Sequence, residues 1–135
     1  MIDYSCNAIK AKVTKIQNMQ NLNIVHFEQE EEIFSMISLE LENIKVDSNV
    51  LLSINPTHIN ISKEDNLLIS CENKIKAKIS HIEEGKLLSY ISLCFKQEEL
   101  QSLISSKKLN DLKLKCKDDV FIYINASDIS IKEIL

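Results

Sequence analysis

The residues best suited to metal or thiol chemistry in this chain are its four cysteines and three histidines. They are spread over the whole sequence: Cys6, His26, His58, Cys71, His81, Cys94 and Cys116. The sequence has no C-x-x-C motif and none of the short spacings that zinc ligands show. We therefore predict no metal site and interpret the cysteines as reduced thiols of a cytoplasmic protein.

Two acidic runs are the next candidates, because converging carboxylates can bind divalent cations. One run is Glu28–Glu32 and the other is Lys96–Glu99, and each lies between two predicted strands. Charged residues at a hairpin tip also discourage association between exposed strands. We favour this interpretation as a solvated tip, and a cation site that recruits carboxylates from elsewhere is the alternative.

Composition argues against several other classes of protein. No serine, histidine and acidic residue form a recognisable nucleophilic motif, so no enzyme activity is predicted. The formal net charge is −4, and all 16 basic residues are lysines. A protein that binds the nucleic-acid backbone needs a basic surface and favours arginine, so we expect no nucleic-acid partner. No secretory leader and no apolar run long enough to cross a bilayer are present, so we expect no membrane insertion.

The elements that would position functional residues occur twice. Asn7–Val13 returns 66 residues later as Asn73–Ile79, and Val50–Ile61 returns 70 residues later as Val120–Ile131. Self-similarity at a long period indicates a duplicated structural unit. We predict two repeats, at residues 1–63 and 70–135, with a linker at 64–69. Each repeat is near the lower size limit for an independent core, so each is expected to support the other.

Each repeat opens with the period-two pattern of a half-buried strand. In the second repeat Ile75, Ala77 and Ile79 alternate with polar residues, and the lysines between them are expected to face solvent. Gly85, the only glycine, falls in the turn that follows. We predict a tight turn there, in which glycine adopts a positive φ at little cost.

A hairpin, a helical corner and two short strands complete each repeat. In the second repeat the spacing of Leu109 and Leu112 suits a short helix that Ser105 or Ser106 caps. Five short strands and one helical corner in about 65 residues fit a small Greek-key barrel. The predicted fold class is therefore all-β, with two tandem OB-like five-stranded Greek-key barrels, each with a short helical corner.

Motifs in both repeats also carry a family resemblance. In the second repeat they are Ser70–Ile79, Ile104–Ser105, Leu112–Val120 and Ile124–Ile131, and weaker versions in the first are Tyr4–Asn7, Ile37–Ser38 and Asn55–His58. In this order they resemble the TOBE, or Mop-type molybdenum-pterin-binding, domain. Because the motifs span nearly the whole chain, it is similar to a free-standing tandem, or di-Mop, protein.

The resemblance implies a cytoplasmic protein that binds molybdate or tungstate for molybdenum storage or homeostasis, with no organic cofactor and no catalysis. It also implies a homo-oligomer, a trimer in the duplicated family members, with oxyanions held between domains. The alternative is a degenerate TOBE-fold module with an interaction or regulatory role that has lost oxyanion binding. The oxyanion-binding residues that the resemblance implies are Ser5, Cys6, Asn7, Ser38, Ser70, Asn73, Ser105, Asn125 and Ser127.

This sequence departs from the family where the family carries positive charge. The arginine of the first motif is replaced by Cys6 and Glu72, and the lysine of the last motif by Asn55 and Asn125. A tetrahedral dianion leaves water only when several donors replace its hydration, and neutral amides and hydroxyls can still serve. A carboxylate opposes binding by roughly 4 kcal/mol per unit charge at about 4 Å and an effective dielectric constant near 20.

We therefore expect the two copies to form unequal sites. The stronger site is expected to combine Ser5, Cys6 and Asn7 with Asn125 and Ser127 across an interface. The weaker site is expected to include Glu72.

Overall fold

The computed structural model describes residues 7–39 and 43–135. In this part of the chain the strands are β1 (Asn7–Met19), β2 (Leu22–Gln29), β3 (Glu32–Ser38), β4 (Asn49–Ile54), β5 (Asn60–Ser62), β6 (Asn73–Glu84), β7 (Leu88–Phe95), β8 (Glu98–Ser105), β9 (Asp119–Ile124) and β10 (Ile129–Ile134). One α-helix, α1 (Ser106–Asp111), follows β8. Two 3-10 turns follow β4 and β9, and we call them the first terminal turn (Pro56–His58) and the second terminal turn (Ala126–Asp128).

The strands form two five-stranded antiparallel sheets, which confirms the all-β class. The first has the order β10-β4-β1-β2-β3 and the second β5-β9-β6-β7-β8. The long strands β1 and β6 lie at the centres and alternate as predicted, with Ile75 and Ile79 buried and the lysines between them exposed. Two exposed lysines on β1 and β6 form ion pairs, Lys12 with Asp47 and Lys78 with Asp119.

The two sheets exchange their last strands. β10, from the second repeat, pairs with β4 of the first, with Ile129 opposite Ile54. β5, from the first repeat, pairs with β9 of the second, with Asn60 opposite Tyr123. The sequence did not predict this exchange, because a strand's residue pattern is the same whichever sheet it joins. The division into repeats at 1–63 and 70–135 stays a prediction about the duplication, and each sheet draws on both repeats.

One continuous apolar core fills the molecule. It contains inward side chains from both sheets, including Ile9, Val50, Ile79 and Val120. Phe34 and Phe95 meet edge to face, with ring centroids 6.1 Å apart and planes at 88°. An edge-to-face pair adds to the stabilisation that burial gives. The two small repeats therefore support each other through a shared core.

Gly85 is required for a different reason from the one predicted. Its φ is not positive. A Cβ atom at this position would lie 2.5 Å from the carbonyl oxygen of Leu88, which also accepts a hydrogen bond from the Gly85 amide. The absence of a side chain therefore permits the close approach that closes the turn between β6 and β7.

The helical corner of the second repeat is present, and Ser105 caps it. The Ser105 hydroxyl accepts a hydrogen bond from the Lys108 amide at 3.1 Å. Ser106 instead has a buried side chain that donates to the Gly85 carbonyl. In the first repeat the equivalent segment includes residues 40–42, so the corner predicted there lies partly outside the described residues.

Candidate functional site

The two terminal turns have the same backbone. Asn55 precedes the first with φ −67° and ψ 136°, and Asn125 precedes the second with φ −67° and ψ 140°. In each turn an amide donates back to this asparagine's carbonyl at 2.9 Å, from His58 in the first and Asp128 in the second. The last motif of each repeat therefore forms one repeated structure, at the point where the chain crosses to the other sheet.

The side chains of the first terminal turn satisfy one another. The Oδ1 of Asn55 accepts hydrogen bonds from the Thr57 amide at 3.0 Å and from the Thr57 hydroxyl at 2.8 Å. Asparagine is among the preferred residues for capping a helical turn in this way. Pro56 lacks an amide hydrogen. The amide and the hydroxyl of Thr57 are therefore committed to Asn55, and Pro56 has no amide to donate.

The side chains of the second terminal turn point to other partners. The Oδ1 of Asn125 accepts a hydrogen bond from the Cys71 thiol at 3.3 Å, and its Nδ2 donates to the Asp128 carboxylate at 3.3 Å. Asn125 does not cap the turn. Ser127 is exposed, and its hydroxyl has no hydrogen-bond partner within residues 7–39 and 43–135. This turn therefore presents a free hydroxyl.

Asn7 and Asn73, which the resemblance implied as ligands, are buried between the sheets. Asn73 is 1% exposed; its Oδ1 accepts from the Ser35 amide at 2.7 Å, and its Nδ2 donates to the carbonyls of Ser35 and Ile124. Asn7 makes the equivalent pair of bonds with the Gln101 backbone, at 2.7 and 2.9 Å. Each side chain bonds an edge strand of the opposite sheet as a neighbouring strand's backbone would. Asn73 bonds β3, and Asn7 bonds β8.

The structure places two residues of the predicted stronger site, Asn7 and Asn125, beside different terminal turns. Asn7 lies opposite Ile54, beside the first terminal turn. Asn73 lies opposite Ile124, so that Asn125 is beside the first motif of its own repeat. Ser5 and Cys6 lie outside the described residues. The assignment of Asn7 and Asn125 to one site therefore stays a prediction.

Two of the remaining predicted serines end the strands against which the terminal turns pack. The second terminal turn packs against β3, which Ser38 ends, and the first packs against β8, which Ser105 ends. The Ser38 carbonyl accepts a bond from Asn23, and the Ser105 oxygen accepts the cap bond described above. Ser70 is exposed in the segment that leads into β6. The second terminal turn therefore lies against β3, which ends at Ser38. The first terminal turn lies against β8, which ends at Ser105.

Charge at the second terminal turn is mainly acidic. The Asp128 carboxylate lies in the turn, and Glu72 is exposed in the neighbouring segment. Burial raises the pKa of the Cys71 thiol, and the nearby Asp128 carboxylate raises it further. The Nδ1 atom of His58, from the first turn, lies 3.7 Å from the Asp128 Oδ1. This histidine is the one basic residue within ion-pair distance of Asp128 in the described part of the chain.

The described residues contain neither a group of metal ligands nor a membrane-spanning helix. Among them, no three His, Cys, Asp or Glu side chains are grouped so that they could hold a metal ion. No helix of this part of the chain is long and apolar enough to span a membrane. The acidic hairpin tips adjoin, since Gln29 donates to Glu98 at 3.0 Å, but they form no cation site by this criterion.

Sequence reasoning missed the role of His58. By spacing it is an isolated histidine, yet it occupies the same position in its motif as Asp128, 70 residues later. The signal available in the sequence was that the position held by a histidine in the first repeat is held by an aspartate in the second. Ser35 and Gln101 were also missed, because they act through their backbone atoms, which a residue type does not reveal.

Comparison with known proteins agrees with the duplicated fold. Residues 69–131 match the TOBE domain family. No curated protein matches this chain in sequence. The structure is similar to that of the cytoplasmic molybdate-binding protein ModG, in a crystal form with molybdate bound, with a TM-score of 0.88 and 16% identity over 97% of this chain and 98% of that one. The chain therefore matches the TOBE domain family over residues 69–131, and as a whole it has a fold similar to that of ModG.

Proposed function

We propose that this chain is a cytoplasmic molybdate-binding protein that acts in molybdenum storage or homeostasis. The main support is its likeness to ModG over nearly the whole of both chains. Fold alone does not determine function, so the proposal also depends on the donors at the terminal turns. The role proposed is binding, without catalysis and without an organic cofactor.

The second terminal turn is the better candidate for the oxyanion. Ser127 offers a free hydroxyl, and the Asn125 amide has a second N–H besides the one that it donates to Asp128. Ser70 adds an exposed hydroxyl to the segment beside Asn125. Tungstate has the same charge and tetrahedral shape as molybdate, so we propose that both bind.

We also propose that the chain forms a homo-oligomer, a trimer, in which a second chain completes the site. The outer face of the first sheet exposes large apolar side chains at neighbouring strand positions, with Met19 77% exposed and its partner Leu22 42% exposed. Leu39, just after β3, is 72% exposed. Such patches often mark interaction surfaces. Light scattering at micromolar concentration tests this, and a monomer would contradict it.

Calorimetric titration with molybdate, tungstate and sulfate tests the binding role. We expect heat with the first two and none with sulfate. Ser127→Ala should weaken binding by roughly 1 to 3 kcal/mol, because one donor to a charged group is lost. Ser130→Ala is the matched control, since Ser130 is also exposed and three residues away. Glu72→Arg should strengthen binding by adding a charge-assisted donor.

The second candidate function is that of a TOBE-fold interaction or regulatory module without an oxyanion. One observation favours it: the second terminal turn carries Asp128, with Glu72 nearby, and neither turn has lysine or arginine. No heat with any of the three oxyanions, for a correctly folded chain, would support this alternative and contradict our proposal.

A further inference from the structure

His58, in the first repeat, lies within ion-pair distance of a carboxylate in the second terminal turn. Its Nδ1 atom lies 3.7 Å from the Asp128 Oδ1, while the Oδ2 of the same carboxylate accepts a hydrogen bond from Asn125. Asp128 directly follows Ser127, the residue with the free hydroxyl. The charge beside the candidate donors is therefore shared between the two repeats.

The other charged residues on the strands packed against the turns are acidic. They are Glu98 and Glu99 on β8, against the first turn, and Glu32 on β3, against the second. An unneutralised Asp128 carboxylate would repel an oxyanion at Ser127, since like charges a few ångströms apart interact unfavourably near a protein surface. The Cys71 thiol, which contacts Asn125, is neutral because its pKa is raised.

We propose that His58 determines whether the second terminal turn accepts an oxyanion. Its imidazolium neutralises Asp128 and so permits a dianion to bind at Asn125 and Ser127. His58 takes the place of a fixed lysine or arginine at this turn, and it acts through Asp128 without touching the ligand. This inference rests on the proposed function and adds to it the residue that controls the charge of the site.

Calorimetric titration of the full chain with sodium molybdate at pH 6, where a histidine carries appreciable positive charge, tests the proposal. His58→Ala should weaken binding about three- to tenfold, and Asp128→Asn should strengthen it by about the same factor, as expected for a partly exposed charge pair. In the Asp128→Asn background, His58→Ala should have a smaller effect on affinity than in the unmodified chain, because no carboxylate is left to hold the imidazole at this turn.

Two further variants separate charge from structure. His58→Lys should bind molybdate equally well at pH 6 and pH 8, whereas the unmodified chain should bind more weakly at pH 8. His81→Ala is the matched control, since His81 is an exposed histidine on β6, and it should leave the affinity unchanged. A purely structural role for His58 would not produce this pH dependence or its loss on substitution by lysine.

The outcomes distinguish this inference from the proposed function. If the unmodified chain binds molybdate and neither His58→Ala nor Asp128→Asn alters affinity, the inference is wrong and the function stands. If the two effects simply add in the double variant, His58 acts independently of Asp128 and the inference is also wrong. If the unmodified chain does not bind molybdate at pH 6, the proposed function fails and the inference fails with it, because His58 has then not permitted binding.

Discussion

The first and second terminal turns have nearly identical backbones and different hydrogen bonds. In the first, the amide oxygen of Asn55 holds both the amide and the hydroxyl of Thr57. In the second, Asn125 bonds Cys71 and Asp128 and leaves Ser127 free. The same local conformation is therefore stabilised from within in one copy and from neighbouring residues in the other.

This difference teaches that a repeated motif can preserve its shape while only one copy leaves its hydroxyl available to a ligand. The first turn uses its donors for local stability, which side-chain capping typically increases by about 1 kcal/mol. The second turn has no side-chain cap. Stability and binding capacity are therefore distributed unequally between two structures that a sequence comparison aligns as equals.

The largest effect is expected where the copies are most alike, at the buried asparagines. Asn73→Ala removes three hydrogen bonds and leaves buried backbone groups without partners, so the free energy of unfolding should fall by about 2 to 4 kcal/mol. Asn7→Ala removes two and should lower it by about 1 to 3 kcal/mol. Equilibrium urea denaturation measures both. Exposed Asn66→Ala is the control, and a larger loss for Asn7 than for Asn73 would contradict the comparison.

The next effect concerns an anchor that only the second repeat has. The buried Tyr123 hydroxyl lies 2.8 Å from the Glu64 carbonyl oxygen and 2.7 Å from that of Asp65, and it accepts a bond from the Leu67 amide. The first repeat has Ser53 at the equivalent position. Tyr123→Phe should therefore lower the free energy of unfolding by about 1 to 2 kcal/mol, measured by the same denaturation. An unchanged midpoint would mean that these bonds to the linker do not contribute.

The terminal turns themselves should respond in opposite ways. Asn55→Ala removes the cap of the first turn and should lower the free energy of unfolding by about 1 kcal/mol, with little effect on molybdate affinity. Asn125→Ala removes no cap, so its effect on stability should be about 0.5 kcal/mol or less, and it should weaken molybdate binding. Parallel denaturation and calorimetry measure the two properties. Finding the larger loss of stability with Asn125→Ala would reverse our comparison of the turns.

The smallest effect concerns thiol reactivity beside the second turn. Because the Cys71 pKa is raised, less thiolate is present at pH 8, and Cys71 should be alkylated by iodoacetamide several-fold more slowly than the exposed Cys94 and Cys116. Asp128→Asn removes one of the two causes and should speed the reaction of Cys71 alone. Peptide mass spectrometry follows each site. Reaction of Cys71 as fast as that of Cys94 would show that burial does not protect it.

Much of the fold follows from local patterns in the sequence. The alternation of Ile75, Ala77 and Ile79 predicts β6 and its buried face, and the position of Ser105 predicts the start of α1. These features depend on residues within a few positions of one another. The exchange of β5 and β10 depends on which of two similar sheets receives a strand, and nothing within a single strand encodes that choice.

The candidate site was less predictable for a related reason. Asn73 and Ser127 are both small polar residues in recurring motifs, and the family resemblance implies an oxyanion-binding role for both. In the structure Asn73 is 1% exposed and makes three hydrogen bonds to backbone atoms, whereas Ser127 is exposed. Burial separates a residue that holds the sheets together from one available to a ligand, and burial is set by the tertiary structure.

The exchanged strands also constrain the order in which the molecule can fold during synthesis. Strands β1 to β4 are made early, but the edge of β4 is completed only by β10, at residues 129–134. A nascent chain would expose that edge through the synthesis of more than seventy further residues. Pairings so distant in sequence close slowly, and unpaired edges are prone to aggregation in the interval. The first sheet therefore cannot be completed before the second repeat is synthesised. A ribosome or chaperone that protects the edge of β4 would have to do so until β10 has emerged.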